Sequence, residues 1–300
     1  MTWWREFAGR IEHDAPLGRR TWFRLGGRGR FLFRPRDEHD LAAMVARARQ
    51  EDVPIKVLGQ GANVLVSDDG FDGVVVRMDG EAFRRVQRHA GQVEVGAGRD
   101  LMVFSRQCSE AGLSGLECMA GIPASIGGAV RMNAGGRSGE FSTIVKEVRT
   151  LAPDGTVADR SREQVGFSYR HTDLDGCIVL SATLELNEDD PAEVRRRFDE
   201  CFQQKLRTQP IADKSAGCIF KNPPQGDPAG ALIDRAGLKG TRYGNARVSE
   251  RHANFIVAET GATASDVLHL IDVVRERVRR DFSTELETEI DVWKPLGRRP

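Results

Sequence analysis

Three hundred residues are enough to bury a sizeable core and, at roughly 150 residues per domain, point to two domains. Hydrophobic residues make up 40% and charged residues 29%, a globular balance that excludes a disordered chain. Lysine plus arginine equals aspartate plus glutamate at 44 each, so no net field recruits nucleic acid or an anionic membrane, although a local anion site stays open.

The opening MTWWREFAGRIEHDAP lacks the long apolar core of a signal peptide. No uninterrupted apolar run approaches the roughly 18 residues of a membrane span, so the chain is expected in the cytosol. IKVLGQGANVLVSD (55–68) reads as strand, turn, strand, and GVVVRM and QVEVGAG follow as further strands. Gly59 and Gly61 lie in the first turn, where closely spaced glycines let N–H groups converge on an anion without Cβ obstruction. A Rossmann fingerprint needs a third glycine and a following helix; Val64 stands in that place and a strand pattern follows. VEVGAGRDLMVF fails in the same way, with Leu101 as its third position, and reads as a plain tight strand-to-helix turn. Residues 100–112 carry helical periodicity and end on Gly112.

From Gly112 to Gly139, GLSGLECMAGIPASIGGAVRMNAGGRSG holds eight glycines in a stretch poor in charge. Several turns in series would explain scattered glycines. A buried extended ligand lying along main chain would also favour this texture, with Pro123 fixing one turn, Gly127 and Gly128 freeing the next, and Asn133 as an extra donor and acceptor. Both readings stand on the residues alone. VKEVRTLAPDGTVADRS is a hairpin turning at Pro153-Asp154-Gly155, and CIVLSATLEL is one more strand.

The texture then changes. PAEVRRRFDECFQQKLRTQ (191–209) opens on proline and has apolar residues at helical spacing. Beyond it come the loop SAGCIFKNP (215–223), a helix near 229–236, the strand HANFIVA, the amphipathic helix SDVLHLIDVVRERVRRDF and a final strand LETEIDVWK. The arginines of 275–280 read as the solvated face of that helix. Five cysteines (108, 118, 177, 201, 218) at irregular spacing, with no C-x-x-C, argue for free thiols and against a zinc site; no metal is expected.

Taken together, TWFRLGG, LGQGANVLVSDDGFDGVVV, GLECMAGIPASIGGAVRMNAG, FSYRHTDL, SAGCIFKNP, LKGTRYGNARVSERHANFIV and LETEIDVW resemble, in order and spacing, the UDP-N-acetylenolpyruvoylglucosamine reductases. The resemblance implies an α+β chain: a noncovalent FAD-binding fold of the vanillyl-alcohol-oxidase (PCMH) type over 1–190 in two subdomains, a connecting helix at 191–206, and a smaller α+β substrate domain over 207–300. GQGAN holds no histidine for covalent attachment. Gly59, Gln60, Gly61, Ala62, Asn63, Gly121, Ile122, Pro123, Ser125, Gly127, Gly128 and Asn133 are implied as the FAD-binding residues.

The reaction implied has two halves: NADPH reduces FAD, and hydride then passes to the enolpyruvyl methylene carbon of UDP-N-acetylglucosamine enolpyruvate, giving UDP-N-acetylmuramate for peptidoglycan. Arg170 would face the substrate carboxylate, Glu289 would polarise the enolate-like intermediate, and Cys218 would donate the proton; Tyr169 and Asn222 would contact substrate. Many relatives carry serine at the donor position. Cysteine preserves the role, because an ordinary thiol, with a pKa of about 8.5, is protonated near neutrality. Without the resemblance, Arg170 reads as a surface arginine, Glu289 as an exposed carboxylate and Cys218 as a small core residue. Ala124 and Gly136 depart from the family pattern. The short separation of Arg170 from Cys218 places the chain in the branch without a tyrosine loop, leaving Lys239, Arg242 and Tyr243 as candidates to cover the diphosphate. The partners expected are the UDP-sugar and NADPH, with no nucleic acid and no membrane, and the chain is expected as a monomer. An oxidase of the same fold and a noncatalytic nucleotide-sugar sensor are the competing readings.

Overall fold

The structure is a computed structural model that describes residues 2–89, 91–136 and 139–295; residues 137 and 138 of the glycine-rich stretch and the last five of the 207–300 range lie outside the described residues. The chain forms two compact units whose division is not linear: one holds 1–13, 31–60 and 73–204, the other 14–30, 61–72 and 205–300.

The first unit is built on a five-stranded antiparallel sheet in the order Val157–Ser161, Val145–Leu151, Ile178–Glu185, Gln92–Gly96, Val86–His89. Position in the sheet explains the sequence texture. The central strand Ile178–Glu185 is buried along most of its length and mainly apolar, with Ile178, Val179, Leu180, Ala182 and Leu184 in the core, while the edge strand Val86–His89 is exposed along its whole length. Against this core the helix Glu38–Gln50 buries Leu41, Met44, Val45 and Ala48, one helical stripe, and starts on Asp37, whose carboxylate accepts from the Asp40 amide at 2.8 Å. Helix Leu101–Glu110 occupies the predicted span and is opened by Asp100, which accepts from the Val103 amide at 2.9 Å.

The second unit packs helix Ala264–Phe282 on the antiparallel strands Arg242–Tyr243, Ala246–Val248 and Ile256–Ala258. The helix buries Val267, Leu270, Ile271, Val274 and Val278 and exposes Arg279 and Arg280, in line with the solvated-face reading. The predicted strand–turn–strand at 55–68 is present as two short strands, but they take different partners. Ile55–Val57 pairs in parallel with 74–76 in the first unit, whereas Val64–Val66 pairs in parallel with Asp291–Trp293 in the second.

Segments 14–30 and 61–72 join the second unit through specific bonds. The Trp22 amide donates to the Gly61 carbonyl, the Gly27 amide to Ser67 and the Ser67 amide to Trp293, while Phe23 and Leu25 enter the core beside Leu65 and Phe220. Asp68 reaches the start of helix Ala264–Phe282 and accepts from the Ala264 amide (2.9 Å), the Ser265 amide (2.9 Å) and Ser265 Oγ (2.7 Å). Burial alone would raise its carboxyl; these three hydrogen bonds outweigh that and hold its pKa below the ordinary value.

A carboxyl whose pKa is depressed by folding stabilises the fold above its unfolded pKa of about 3.9, and that contribution is lost as pH falls through the folded value. Asp68→Asn is therefore expected to cost about 1 kcal/mol in urea unfolding near pH 7, the scale of a helix cap. The gap between variant and parent should close as the pH drops below the carboxylate range; a gap independent of pH would contradict the charge's role.

Candidate active site

The residues singled out from sequence fall into three groups, two in the first unit and one in the second. The first group is a cradle of small residues. Gly59 approaches Ser125 so closely that a Cβ on it would lie 2.5 Å from Ser125 Oγ. That oxygen is buried and cannot swing away cheaply, because it accepts from the Gly128 amide at 3.2 Å as the cap of the short helix Ile126–Arg131. Gln60 donates to Asp100 at 3.0 Å, and Asp100 is bridged in turn to Ser125, so the two glycine loops are tied through one aspartate. Gly121, Ile122 and Pro123 form the turn ahead of this helix, with the Ile122 amide on the Met119 carbonyl and its side chain against the core. The surface so formed is main chain and small side chains, which fits a long cofactor lying along backbone, as FAD would.

The second group surrounds Asn133, which is 1% exposed. Its Nδ2 donates to Glu140 at 2.9 Å and to the Ser168 carbonyl at 3.0 Å, and its Oδ1 accepts from the Ser142 amide at 3.0 Å. The carboxamide expected to meet the cofactor is therefore engaged on protein, where it anchors the loop carrying Tyr169 and Arg170. Arg170 donates to the Gly135 carbonyl at 2.8 Å and to the Asn133 carbonyl at 3.4 Å, with its guanidinium 5.0 Å from the centre of the exposed Tyr169 ring. Asn133 (φ 39°) and Arg170 (φ 54°) both sit in the left-handed region, a conformation that costs a non-glycine residue about 1–2 kcal/mol.

The third group lies in the second unit. Gly61 has φ +69°, and a Cβ there would fall 2.5 Å from the Arg20 carbonyl, so both conformation and space demand glycine. Ala62 follows, half-buried. Asn63 donates through Nδ2 to the Glu289 carbonyl at 3.1 Å, while its own carbonyl accepts from the Asp291 amide at 2.9 Å. The predicted last strand thereby changes partners midway: residues 287–289 lie against 219–221, and 291–293 lie against 64–66. The Glu289 amide donates to the Ile219 carbonyl at 2.7 Å and the Lys221 amide to the Glu287 carbonyl at 2.8 Å, flanking the bridge from Phe220 to Thr288. Cys218 and Glu289 thus lie on adjoining antiparallel segments, both half-buried.

Of the five thiols, Cys108 is the core residue: burial, the largest effect, pushes it up to about 12. Asn222 is exposed and its Oδ1 accepts from the Ala229 amide at 3.1 Å, capping helix Ala229–Arg235, whose preceding residue, Pro228, makes no side-chain cap. The candidates for covering a diphosphate are engaged elsewhere: Lys239 with Asp234 at 2.6 Å, Arg242 with Glu259 at 2.6 Å, and Tyr243 stacked on His269 at 3.6 Å. One residue not singled out from sequence stands beside Cys218: Asn254, 3% exposed, bonded to Phe220. The available signal was a lone carboxamide within the apolar run HANFIVA.

Residues 30–161 match a family described as FAD binding domain, and the fold is α+β. Residues 209–293 match UDP-N-acetylenolpyruvoylglucosamine reductase, C-terminal domain. The chain is 41% identical to UDP-N-acetylenolpyruvoylglucosamine reductase 2 of Symbiobacterium thermophilum, over 95% of this chain and 92% of that protein. It is also 41% identical to the reductase of Heliobacterium modesticaldum, over 98% and 94% of the two chains. The crystal structure of UDP-N-acetylenolpyruvylglucosamine reductase (MurB) from Thermus caldophilus is similar at a TM-score of 0.82 and 40% identity, covering 95% of this chain and 99% of that one. The chain belongs to the UDP-N-acetylenolpyruvoylglucosamine reductase family.

Gly59→Ala tests the cradle. The added methyl forces Ser125 off the Gly128 amide, so the variant is expected to purify with flavin at well under half the parent's occupancy, read from the visible absorbance relative to protein. Full occupancy would show that this contact does not shape the FAD site.

Proposed function

We propose that this chain reduces the enolpyruvyl group of UDP-N-acetylglucosamine enolpyruvate to UDP-N-acetylmuramate, a step of peptidoglycan precursor synthesis, with NADPH as reductant. The observation that carries the reading is the bonded pair 219–221 and 287–289, which sets the thiol motif SAGCIFKNP beside the carboxylate motif LETEIDVW. Its setting is the cytoplasm, and the protein acts as a monomer on small-molecule substrates, without nucleic-acid or membrane partners. Equal numbers of acidic and basic residues leave no net field to draw nucleic acid or an anionic membrane, and among the described residues no helix is long and apolar enough to cross a membrane.

Gly59, Gln60, Gly61, Ala62 and Asn63, with Gly121, Ile122, Pro123, Ser125, Gly127 and Gly128, hold FAD chiefly through main chain. FAD held there would supply the hydride chemistry, with NADPH as the reductant. Arg170, oriented by the Asn133 and Gly135 carbonyls, meets the substrate carboxylate; its planar fork suits two-point recognition. Tyr169 and Asn222 contact the same substrate. As hydride adds to the methylene carbon, the π pair moves onto the carbon bearing the carboxylate and spreads into that group. Arg170 opposes the developing charge, and Glu289 polarises the enolate. Cys218 Sγ then gives its proton to that carbon, and the thiolate left behind is reprotonated from solvent. A thiol is a better proton donor than an alcohol, so cysteine suits the role.

The purified protein is expected to be yellow and to bleach with NADPH, and the enolpyruvyl sugar nucleotide should restore the colour faster than air does. Faster return with air alone would favour an oxidase. Cys218→Ala is expected to bleach at nearly the parental rate yet to lose product formation by about 10²–10⁴-fold, the usual contribution of a positioned acid. Equal loss in both half-reactions would contradict the proton-donor role.

A further inference from the structure

The segment that carries Cys218 has two edges, and the protein closes them differently. One edge is paired to 287–289 by main-chain bonds. The other exposes the Phe220 amide and carbonyl, and Phe220 is 1% exposed, so water cannot satisfy them. Among the described residues no strand fills that edge. Instead the Asn254 carboxamide takes both groups: the Phe220 amide donates to Oδ1 at 2.9 Å, and Nδ2 donates to the Phe220 carbonyl at 2.8 Å. The Asn254 carbonyl also accepts from the Ile219 amide at 2.9 Å. Asn254 is itself held, its amide donating to His252 Nδ1 at 3.3 Å. Burial, and then the charge of Lys239, lower the His252 pKa, which keeps that nitrogen an acceptor.

We infer that Asn254 is a positioning residue for the proton transfer, fixing the backbone two residues beyond Cys218 so that the thiol is presented to the reacting carbon in one orientation. The inference rests on the proton-donor reading above. A carboxamide suits the task because it offers one donor and one acceptor side by side, the pattern a neighbouring strand would present. A leucine, with the same branching, would fill the space and leave both main-chain groups unpaired. The backbone would then shift to find partners, and displacement of a catalytic group by about 1 Å lowers its step by about 10²-fold.

The test measures both half-reactions in flavin-loaded Asn254→Leu, Cys218→Ala and the double variant. Bleaching by NADPH should stay within about twofold of the parent in Asn254→Leu, while reoxidation by the enolpyruvyl sugar nucleotide falls about 10²-fold. The double variant should be no slower than Cys218→Ala alone, because Asn254 acts through the thiol. Should the leucine variant not fold, Asn254→Asp carries the test: its ionised form repels the Phe220 carbonyl, and acidification restores a donor, so its reoxidation rate relative to the parent should recover as pH falls. Equal slowing of both halves, an additive double variant, or an aspartate variant with no pH-dependent recovery would overturn the inference. If Cys218→Ala spares product formation, the proton-donor reading itself fails; if it abolishes product while Asn254→Leu does not, the positioning role alone fails.

Discussion

The bond from the Glu289 amide to the Ile219 carbonyl joins two segments that are far apart in the chain, and it sets the thiol and carboxylate motifs side by side in the second unit. Closing so long a loop costs entropy that no single hydrogen bond returns, so the contact persists only because it is embedded in apolar packing. Ile219 and Phe220 on one segment and Leu286 and Ile290 on the other are buried, in the same core as the helix Ala264–Phe282. The polar motifs ride on this pair. Cys218 stands just before the bonded stretch and Glu289 within it, so the positions of thiol and carboxylate are consequences of main-chain register.

Asparagine carboxamides do much of the remaining fastening. Asn63 closes the outer edge of the segment bearing Glu289, Asn254 closes that of the segment bearing Cys218, and Asn133 draws together residues 140, 142 and 168 under Arg170. Asn133 and Asn254 are buried, so the irregular backbone they meet is satisfied without water, a task for a side chain that both donates and accepts. Arg170 and Asn133 also share a left-handed backbone, and Arg170 bonds to the Asn133 carbonyl, so strain is concentrated where the guanidinium is aimed.

Charge plays a local role. With acidic and basic residues equal in number, recognition of a carboxylate or diphosphate falls to individual groups. Lys239 and Arg242 are paired with acids in their own unit, whereas the guanidinium of Arg170 donates to the Asn133 and Gly135 carbonyls, which fix its orientation.

Much of this was legible in the residues. Periodicity located the helices at 101–110, 191–208 and 264–282, because burial on one face writes a stripe that survives in one dimension. The glycines at 59 and 61 stood out because close main-chain approach and a positive φ leave few other residues possible. The motifs LGQGANVLVSD, SAGCIFKNP and LETEIDVW marked the chemistry by type. Pairing was not legible. Nothing in IKVLGQGANVLVSD says that its two strands part company, one beside 74–76 and the other beside 291–293, since strand alternation records which face is buried and not which neighbour is bonded. Nor do the residues alone say which protein groups the Asn133, Asn222 and Asn254 side chains meet. Only the folded chain shows that their carboxamides meet main-chain groups whose need for partners arises from burial, a property of three-dimensional packing.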